Sequence, residues 1–402
     1  TLEFLNKCID YRPNNIDFLF ERASLYSDND YKNEALIDYL KLLRIDDGKS
    51  YGVNNNIGLI YENYIKDYDK AIEFYSNEID LYPSETISYR NKASVYHDHL
   101  NNDNMAIQTM NKAIELDSVS SKNFVLRSSY YESSGDLNNS LNDLNKAIAI
   151  ISSKANYDNE YLADKYYNRA RVLTSSKNYS NAIKDWEKTF EIDSSYLAHA
   201  NYKIGSIYLN NFRDFENAIS YFSKSLDAQY WKPELVLDLR AIAYANQNNY
   251  DLALKDINKA IEFVPDQSSY YFTRLNINIL SKDFEKAILD AKKTIKLDRK
   301  DPQGFYSLAF LMNSNNDYYK SLYYMTICIE KQLANKDYYV SDFNGLDRLS
   351  LSDLYILRAS IYDKINVLNL MCNDYHSALD SSSDISAQQK VINKLILENC
   401  KN

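Results

Sequence analysis

The chain has 402 residues, of which only 7 are Gly and 5 are Pro, and its formal net charge is −10. At an average of roughly 7% Gly a chain of this length would carry about four times as many glycines, so folds rich in tight turns or glycine phosphate loops are disfavoured and helices joined by polar turns are expected. The acidic balance, with both signs interspersed, argues against a nucleic-acid partner, and no apolar run approaches the roughly 20 residues that cross a bilayer.

A two-part pattern recurs along the chain at intervals of roughly 35 residues, the period of a helical repeat. Its first part has a small residue followed three positions later by Tyr, and its second part has Ala followed by Ile or Leu. In chain order the copies are Ala23, Tyr26, Ala35 and Leu36; Gly58, Tyr61, Ala71 and Ile72; Ala93, Tyr96, Ala106 and Ile107; Ser128, Tyr131, Ser140 and Leu141; Ala170, Leu173, Ala182 and Ile183; Gly205, Tyr208, Ala218 and Ile219; and Ala241, Tyr244, Ala253 and Leu254. Weaker copies hold Leu275, Ala287 and Ile288; Ala309, Ser321 and Leu322; and Ala359, Tyr362 and Ala378.

Each copy is expected to form two helices. Apolar residues recur at helical spacing in two segments separated by a polar turn, such as residues 27–30 and 246–249. The small residues are expected where the two helices touch, with the Tyr filling the adjacent gap. Residues 1–13 match only the second helix of a copy. We therefore expect the chain to begin in mid-repeat, which suggests that a leader, an anchor or further repeats precede it.

The repeated pattern resembles the tetratricopeptide repeat, and the resemblance extends over nearly the whole chain. It implies an all-α fold, a right-handed α-solenoid of stacked helix-turn-helix repeats in which neighbouring hairpins bury each other's apolar faces. Near the C-terminus, Ile385, Ile392, Leu395 and Ile396 recur at helical spacing with polar residues between them. This spacing predicts a capping helix with a polar outer face.

The copies divide the chain into three parts. A repeat array is expected over 1–335, with a longer connection near 152–162. An insertion is expected over 336–351, too apolar for a free linker, so it should pack on the array. An irregular last repeat and the capping helix complete the chain over 352–402.

Comparison among the copies shows paired changes at two positions. An Arg before the small residue is matched by an Asp after the Ala or Ser of the second helix, in Arg22/Asp38, Arg127/Asp143, Arg169/Asp185, Arg240/Asp256 and Arg274/Asp290. Where the Arg is missing, so is the Asp, in Ile57/Phe74, Ile204/Tyr221 and Leu308/Tyr324, while Lys92/Thr109 is ambiguous. Because an unpaired buried charge costs more than the pair gains, we expect a contact between the two helices of each copy. These arginines are predicted to be structural rather than ligands.

No catalytic, cofactor or metal site is predicted. The four cysteines, Cys8, Cys328, Cys372 and Cys400, are widely separated and are expected to be free thiols, which favours a cytoplasmic location. His97 and His99 have no further ligands near them in sequence and are expected to be turn residues. Without a nucleophile motif or a distinguished carboxylate pair, the chain is not expected to be an enzyme.

Function is therefore expected on the concave face that the first helices line in repeats of this kind. In the N-terminal half the face carries Asn56, Asn91 and Asn168, which partly resemble the asparagine ladder in the repeat superhelix of glycosyltransferases that act on nuclear and cytoplasmic proteins. In the C-terminal half it becomes apolar. The residues expected there are Leu235, Leu239, Ile242, Phe272, Ile279, Tyr306 and Phe310. If exposed, they form a patch of the kind that marks a partner site; the alternative is burial against neighbouring helices.

The leading hypothesis is a non-catalytic scaffold or adaptor that binds a peptide or helix of a partner protein in this groove. Two alternatives remain open. In the first, the chain is the substrate-recruiting repeat region of a larger enzyme, such as a glycosyltransferase. In the second, it is an assembly factor of a membrane-associated complex and does not itself insert into the membrane.

Overall fold

The computed structural model describes residues 2–46, 49–154, 158–335, 340–341, 348–382 and 388–400. In this part of the chain 22 α-helices follow one another, and strand is confined to two segments of 2 residues each. One helix, ten helical hairpins and a terminal helix succeed each other in sequence. The all-α fold of stacked helical pairs with a capping helix is therefore confirmed. The chain divides into two compact units, Thr1–Ser194 and Ser195–Asn402.

The first unit contains the leading helix α1 and five hairpins, α2/α3 to α10/α11. The first helix of each hairpin packs against the second helix, and the second helices α3, α5, α7 and α9 pack against the next hairpin. The helices are α1 Leu2–Tyr11, α2 Ile16–Asp28, α3 Lys32–Asp46, α4 Val53–Ile60, α5 Tyr68–Leu81, α6 Thr86–Ser94, α7 Asp103–Leu116, α8 Ser121–Ser133, α9 Leu137–Ser152, α10 Asn159–Ser175 and α11 Tyr179–Ile192.

The second unit contains five more hairpins, α12/α13 to α20/α21, and the terminal helix α22. A short 3-10 turn, Ser194–Tyr196, comes directly before its first helix, α12. The helices are α12 Leu197–Ile207, α13 Phe215–Asp227, α14 Pro233–Asn246, α15 Tyr250–Phe263, α16 Ser268–Leu280, α17 Phe284–Leu297, α18 Gln303–Ser314, α19 Tyr318–Ala334, α20 Leu351–Lys364, α21 Leu368–Asp380 and α22 Gln388–Asn399.

The small residues lie where the two helices of a hairpin touch, as the repeat pattern predicted. A Cβ atom added to Gly58 would lie 2.6 Å from the ring of Tyr75, and one added to Gly205 would lie 2.8 Å from the ring of Phe222. Ala23, like the other alanines at this position, has no exposed surface. A larger side chain at Gly58 or Gly205 would therefore push the two helices apart.

Each hairpin turns through one residue in the left-handed backbone region. Only Gly135 is a glycine. The others are Asp30, Lys66, Asn101, Lys177, Arg213, Asn248, Lys282, Asn316 and Asn366. In several hairpins the next residue is an Asp or Asn that caps the second helix, as Asp67 does by accepting a hydrogen bond from the backbone N–H of Lys70 at 3.1 Å. Polar turns thus replace glycine turns, which accounts for the low glycine content.

Three first helices end in a π-helical turn, Tyr61–Ile65, Val95–His99 and Tyr208–Phe212. In these hairpins the small residue and the Ala of the second helix are one residue further apart than elsewhere, as Gly58 and Ala71 are compared with Ala23 and Ala35. The hydrogen bonds of a π-helical turn span one residue more than those of an α-helical turn. It absorbs the insertion and keeps the two helices in register.

The insertion at 336–351 is described at residues 340–341 and 348–351, and its other residues lie outside the described part of the chain. Strands β1 Val340–Ser341 and β2 Arg348–Leu349 pair antiparallel, with Val340 opposite Leu349. Val340 is fully buried in an apolar cluster with Tyr306 of α18, and Leu349 is partly buried against the same cluster. These residues pack on the array, as expected.

The terminal helix α22 covers the last hairpin with Ile392, which is fully buried, and with Leu395 and Ile396, which pack against a cluster that includes Tyr375. A disulfide between Cys372 of α21 and Cys400, with a Cα–Cα distance of 5.7 Å, joins the two helices. The expectation of four free thiols is wrong for this pair. The reversal of the chain between α21 and α22 brings together cysteines that are 28 residues apart. The cysteine argument for a cytoplasmic location therefore no longer holds.

Candidate functional site

All five predicted Arg/Asp pairs form, and each is bidentate. The Nε and Nη2 atoms of the arginines donate to the two carboxylate oxygens of the aspartates at distances between 2.6 and 3.0 Å. The aspartates are buried, and the hydrogen bond to Asp143 raises the pKa of the Arg127 guanidinium. A sixth pair, Arg358/Asp374, joins α20 to α21 in the irregular last hairpin.

The remaining arginine nitrogen, Nη1, reaches the preceding hairpin. The Nη1 donors and their acceptor residues are Arg22 and Asn6 (2.8 Å), Arg127 and Asn111 (2.6 Å), Arg169 and Asn145 (2.6 Å), Arg240 and Ser223 (2.8 Å), Arg274 and Asn258 (2.7 Å), and Arg358 and Thr326 (3.2 Å). Lys92 makes the same link to Ser76 at 2.8 Å. Each cation therefore ties its own hairpin to the hairpin before it.

The polar partner in the preceding hairpin changes together with the cation. In the three hairpins where Ile57, Ile204 or Leu308 replaces the Arg, the corresponding positions of the preceding second helices hold Leu40, Glu187 and Lys292 rather than Asn, Ser or Thr. The three-residue arrangement is thus complete in six hairpins and absent from three, and Lys92 keeps the link to Ser76 with Thr109 in place of the Asp. The arrangement is structural, because the Nε, Nη1 and Nη2 atoms of each arginine all bond to groups of the protein.

A pocket of about 690 Å³ lies beside one of these links, between α9, α10 and α11. Its lining includes Arg169 and Asp185 together with the amides of Asn138, Asn142 and Asn181. A smaller pocket of about 290 Å³ lies at the corresponding place beside Arg274. Because the amides are exposed, water satisfies them, and the pockets follow from the repeat geometry.

His97 and His99 have protein partners. His97 Nδ1 lies 2.6 Å from Asp103 Oδ1, and the ring of His99 stacks on Tyr68 with 4.2 Å between centroids. Among the residues that the structure describes, no group of three or more His, Cys, Asp or Glu side chains is placed to hold a metal ion.

In the first unit the first helices carry Asn56, Asn91 and Asn168, all half-buried. The side-chain amide of Asn56 donates to Tyr39 Oη at 3.1 Å, and that of Asn91 donates to Asn55 Oδ1 at 2.9 Å. The amide of Asn168 donates to Asp164 Oδ2 at 3.3 Å. Each amide thus holds neighbouring elements or its own helix in place in the free protein.

The predicted apolar row of the second unit is only partly accessible. Ile279 is 8% exposed, in a cluster with Leu275 and Leu308, and Tyr306 is 7% exposed, in the cluster that contains Val340. The expectation that these two residues line an open surface is wrong, because the next hairpin and the insertion pack over them. The remaining five are half-buried: Leu235, Leu239, Ile242, Phe272 and Phe310. We call these five residues the first-helix row.

A carboxylate that the sequence analysis did not single out lies beside the row. Asp238 of α14 is half-buried as a residue, but its Oδ1 is inaccessible to solvent and has no hydrogen-bond partner. Burial raises the pKa of Asp238 to about 7, and the Thr273 side chain on α16 partly offsets this shift. Asn276, one helical turn after Thr273, also has a buried Oδ1 without a partner.

These observations decide the family when they are combined with sequence comparison. The sequence profile described as the tetratricopeptide repeat matches residues 88–119 and 198–230, which correspond to hairpins α6/α7 and α12/α13. The chain contains tetratricopeptide repeats at these two hairpins. A comparison with curated protein sequences found no match.

Solved structures of other tetratricopeptide repeat proteins are similar to this one. One from Parabacteroides merdae is 14% identical over 70% of this chain and 99% of its own, with a TM-score of 0.51, which supports the fold alone. The C-terminal part of a repeat protein from Cytophaga hutchinsonii is 20% identical over 61% of this chain and 96% of its own, with a TM-score of 0.49. YrrB, described as having an unusual peptide-binding site, is 20% identical over 49% of this chain and 95% of its own, with a TM-score of 0.40.

Within the described ranges, none of the helices is long and apolar enough to cross a bilayer.

Proposed function

We propose that this protein is a non-catalytic scaffold or adaptor that holds a peptide or helix of a partner protein against the first-helix row. Tetratricopeptide repeats typically serve protein–protein interaction. The observation that carries the proposal is the change of chemistry along equivalent helix positions. Where α4, α6 and α10 present Asn56, Asn91 and Asn168, α14 presents Leu239.

Packing does not require apolar residues at these places. At the position that Phe310 occupies in α18, five other first helices carry Ser: Ser24, Ser94, Ser129, Ser206 and Ser360. Since the same helical pairs form with Ser there, the repeat does not require the aromatic ring, although Phe310 packs against the cluster of Leu275 and Leu308. A Leu or Phe side chain that passes from water to full burial contributes about 1.5–3 kcal/mol. Several half-buried side chains in one row therefore suit an apolar partner segment.

The proposal is tested by exchanging row residues for those that other hairpins of the same chain carry. The variant Leu239→Asn with Phe310→Ser should keep its helicity and melt within a few degrees of the wild type. Leu289→Ser is the matched control, because Leu289 is 65% exposed and lies on the second helix α17.

A pull-down with the intact chain, followed by mass spectrometry, first identifies what the wild type retains. Retention should then fall at least tenfold for the row variant and remain unchanged for Leu289→Ser. Equal retention by all three proteins contradicts the proposal. Catalytic activity of the purified chain, free of contaminating enzymes, would contradict it as well.

A further inference from the structure

We propose that the segment bound on the first-helix row carries a Lys or Arg between apolar side chains, and that Asp238 receives this cation. The inference rests on the proposed function and specifies the chemistry of the partner.

The position of Asp238 in the repeat is the first argument. It lies three residues before the small residue of its hairpin, Ala241, on the side of α14 that faces α16. The same position in the other nine hairpins never holds a carboxylate. The residues there are Phe20, Asn55, Arg90, Val125, Tyr167, Tyr202, Phe272, Tyr306 and Ile356. The repeat therefore folds without an acid at this place.

The state of the carboxylate is the second argument. A buried polar atom without a hydrogen-bond partner destabilises the fold, and a charged one does so more strongly. In the part of the chain that the structure describes, Asp238 forms no ion pair, and the cation of the same helix, Arg240, is already bonded to Asp256 and Ser223. The fold gives this carboxylate no ion pair within the described residues, and an external cation would stabilise its ionised form.

A second acceptor oxygen lies on the facing helix. The Oδ1 of Asn276 is buried and unpartnered, and no other hairpin has an amide at this position, immediately after the small residue. Helices α14 and α16 pack directly against each other. A cation that reached both oxygens would need several hydrogens, which an ammonium or guanidinium group supplies. Two side-chain oxygens are too few for Ca²⁺, which takes six to eight oxygen ligands.

The surroundings of the carboxylate define the rest of the partner segment. Leu235, Leu239 and Ile242 lie on the same helix as Asp238, and Phe272 lies beside Thr273 on α16. A bound cation would be flanked by these apolar side chains. Solvent would be excluded from the ion pair, which strengthens a charge-assisted hydrogen bond. The site therefore selects for a basic residue with apolar neighbours over a uniformly charged segment.

The test uses a displayed library of random 12-residue peptides selected on the intact chain. Peptides enriched by the wild type should carry a Lys or Arg flanked by Leu, Ile, Met or Phe. A synthetic copy of an enriched peptide should lose at least tenfold in affinity when its basic residue is replaced by norleucine, which retains the length of the side chain and removes the charge. This arm requires no change in the protein.

The protein arm uses Asp238→Asn, with Asp251→Asn as the matched control because Asp251 is exposed on the second helix α15. Asp238→Asn should weaken the basic peptide at least tenfold and leave the norleucine peptide unchanged, while Asp251→Asn should bind both like the wild type. Circular dichroism verifies that each variant is folded.

The outcomes separate the two proposals. If the peptides depend on Leu239 and Phe310 but not on Asp238 or on a basic residue, this inference is overturned and the proposed function stands. If no peptide is enriched, or enriched peptides bind the row variant normally, the proposed function fails as well.

Discussion

Arg358 donates two hydrogen bonds to Asp374, at 2.8 and 2.7 Å, in the hairpin that the sequence pattern located least well. The pair has the geometry of the five pairs in earlier hairpins. It places Met371, rather than the predicted Ala378, at the position that Ala occupies elsewhere, because Asp374 follows Met371 as Asp38 follows Ala35. The ion pair therefore identifies the last hairpin as a regular repeat in which Met371 replaces the small residue of the second helix.

Removal of one partner of a pair should be far more harmful than replacement of both. Arg127→Leu leaves Asp143 buried without its cation, and a loss of about 3–5 kcal/mol in the free energy of unfolding is expected. Adding Asp143→Tyr reproduces the natural pair Leu308/Tyr324, which has the same spacing, and should restore stability to within about 1 kcal/mol. Urea denaturation of the three proteins measures both effects. Single and double variants of equal stability would contradict the structural role.

Glycine should stabilise a hairpin turn at a left-handed position. Lys282 has a φ of 65°, in the left-handed region that the other hairpin turns also use. Lys282→Gly should raise the free energy of unfolding by about 0.5–1 kcal/mol, since glycine adopts this conformation without steric cost. Lys282→Ala is the control and should give no gain. Gly135→Ala, at a φ of 83°, should cost about 1–2 kcal/mol. Thermal melting compares the variants.

The disulfide should hold α22 on the last hairpin. In the unfolded protein before reduction, a thiol reagent should modify two thiols, those of Cys8 and Cys328. After reduction it should modify four. Cys372→Ser with Cys400→Ser should increase amide hydrogen exchange in α21 and α22, with a local stability loss of about 3 kcal/mol from the loop-closure entropy. Exchange in α2 to α9 is the internal control. Four reactive thiols before reduction would contradict the assignment.

Asp238 should make the protein less stable as the pH rises. Its pKa in the folded state is about 7, above the value of about 3.9 for an unfolded Asp, so the folded state binds the proton more tightly. The contribution of the protonated acid is fully present below pH 4 and is lost between pH 4 and 7. Glu234 and Tyr270 are the nearby titratable groups, and Tyr270 does not ionise in this range.

Asp238→Asn removes this dependence. The variant should gain no free energy of unfolding over the wild type near pH 4. The gain should grow up to pH 7, by at most about 1.4 kcal/mol for each unit between the two pKa values. Water that reaches the rest of the side chain reduces this figure. Urea titrations at several pH values measure the difference. A pH-independent difference between the two proteins would show that the carboxylate titrates normally.

Much of the architecture follows from the sequence, because a repeat fold is specified by contacts that are close in the chain. Apolar spacing predicted the helices, and the small residues predicted where each hairpin closes, as the fit of Tyr75 over Gly58 shows. The Arg/Asp pairs were predictable for the same reason. Both members lie within one hairpin, so repetition reveals that they change together.

The tertiary structure decided what depends on neighbouring hairpins and on long connections. Arg127 reaches Asn111 of the preceding hairpin, and Tyr306 is covered by Val340 from the insertion. Cys372 meets Cys400 only because α22 folds back on α21. Helical periodicity shows which face of a helix is apolar, but not how much of that face the next element covers. Accessibility and the partners of Asp238 are therefore set by stacking rather than by sequence period.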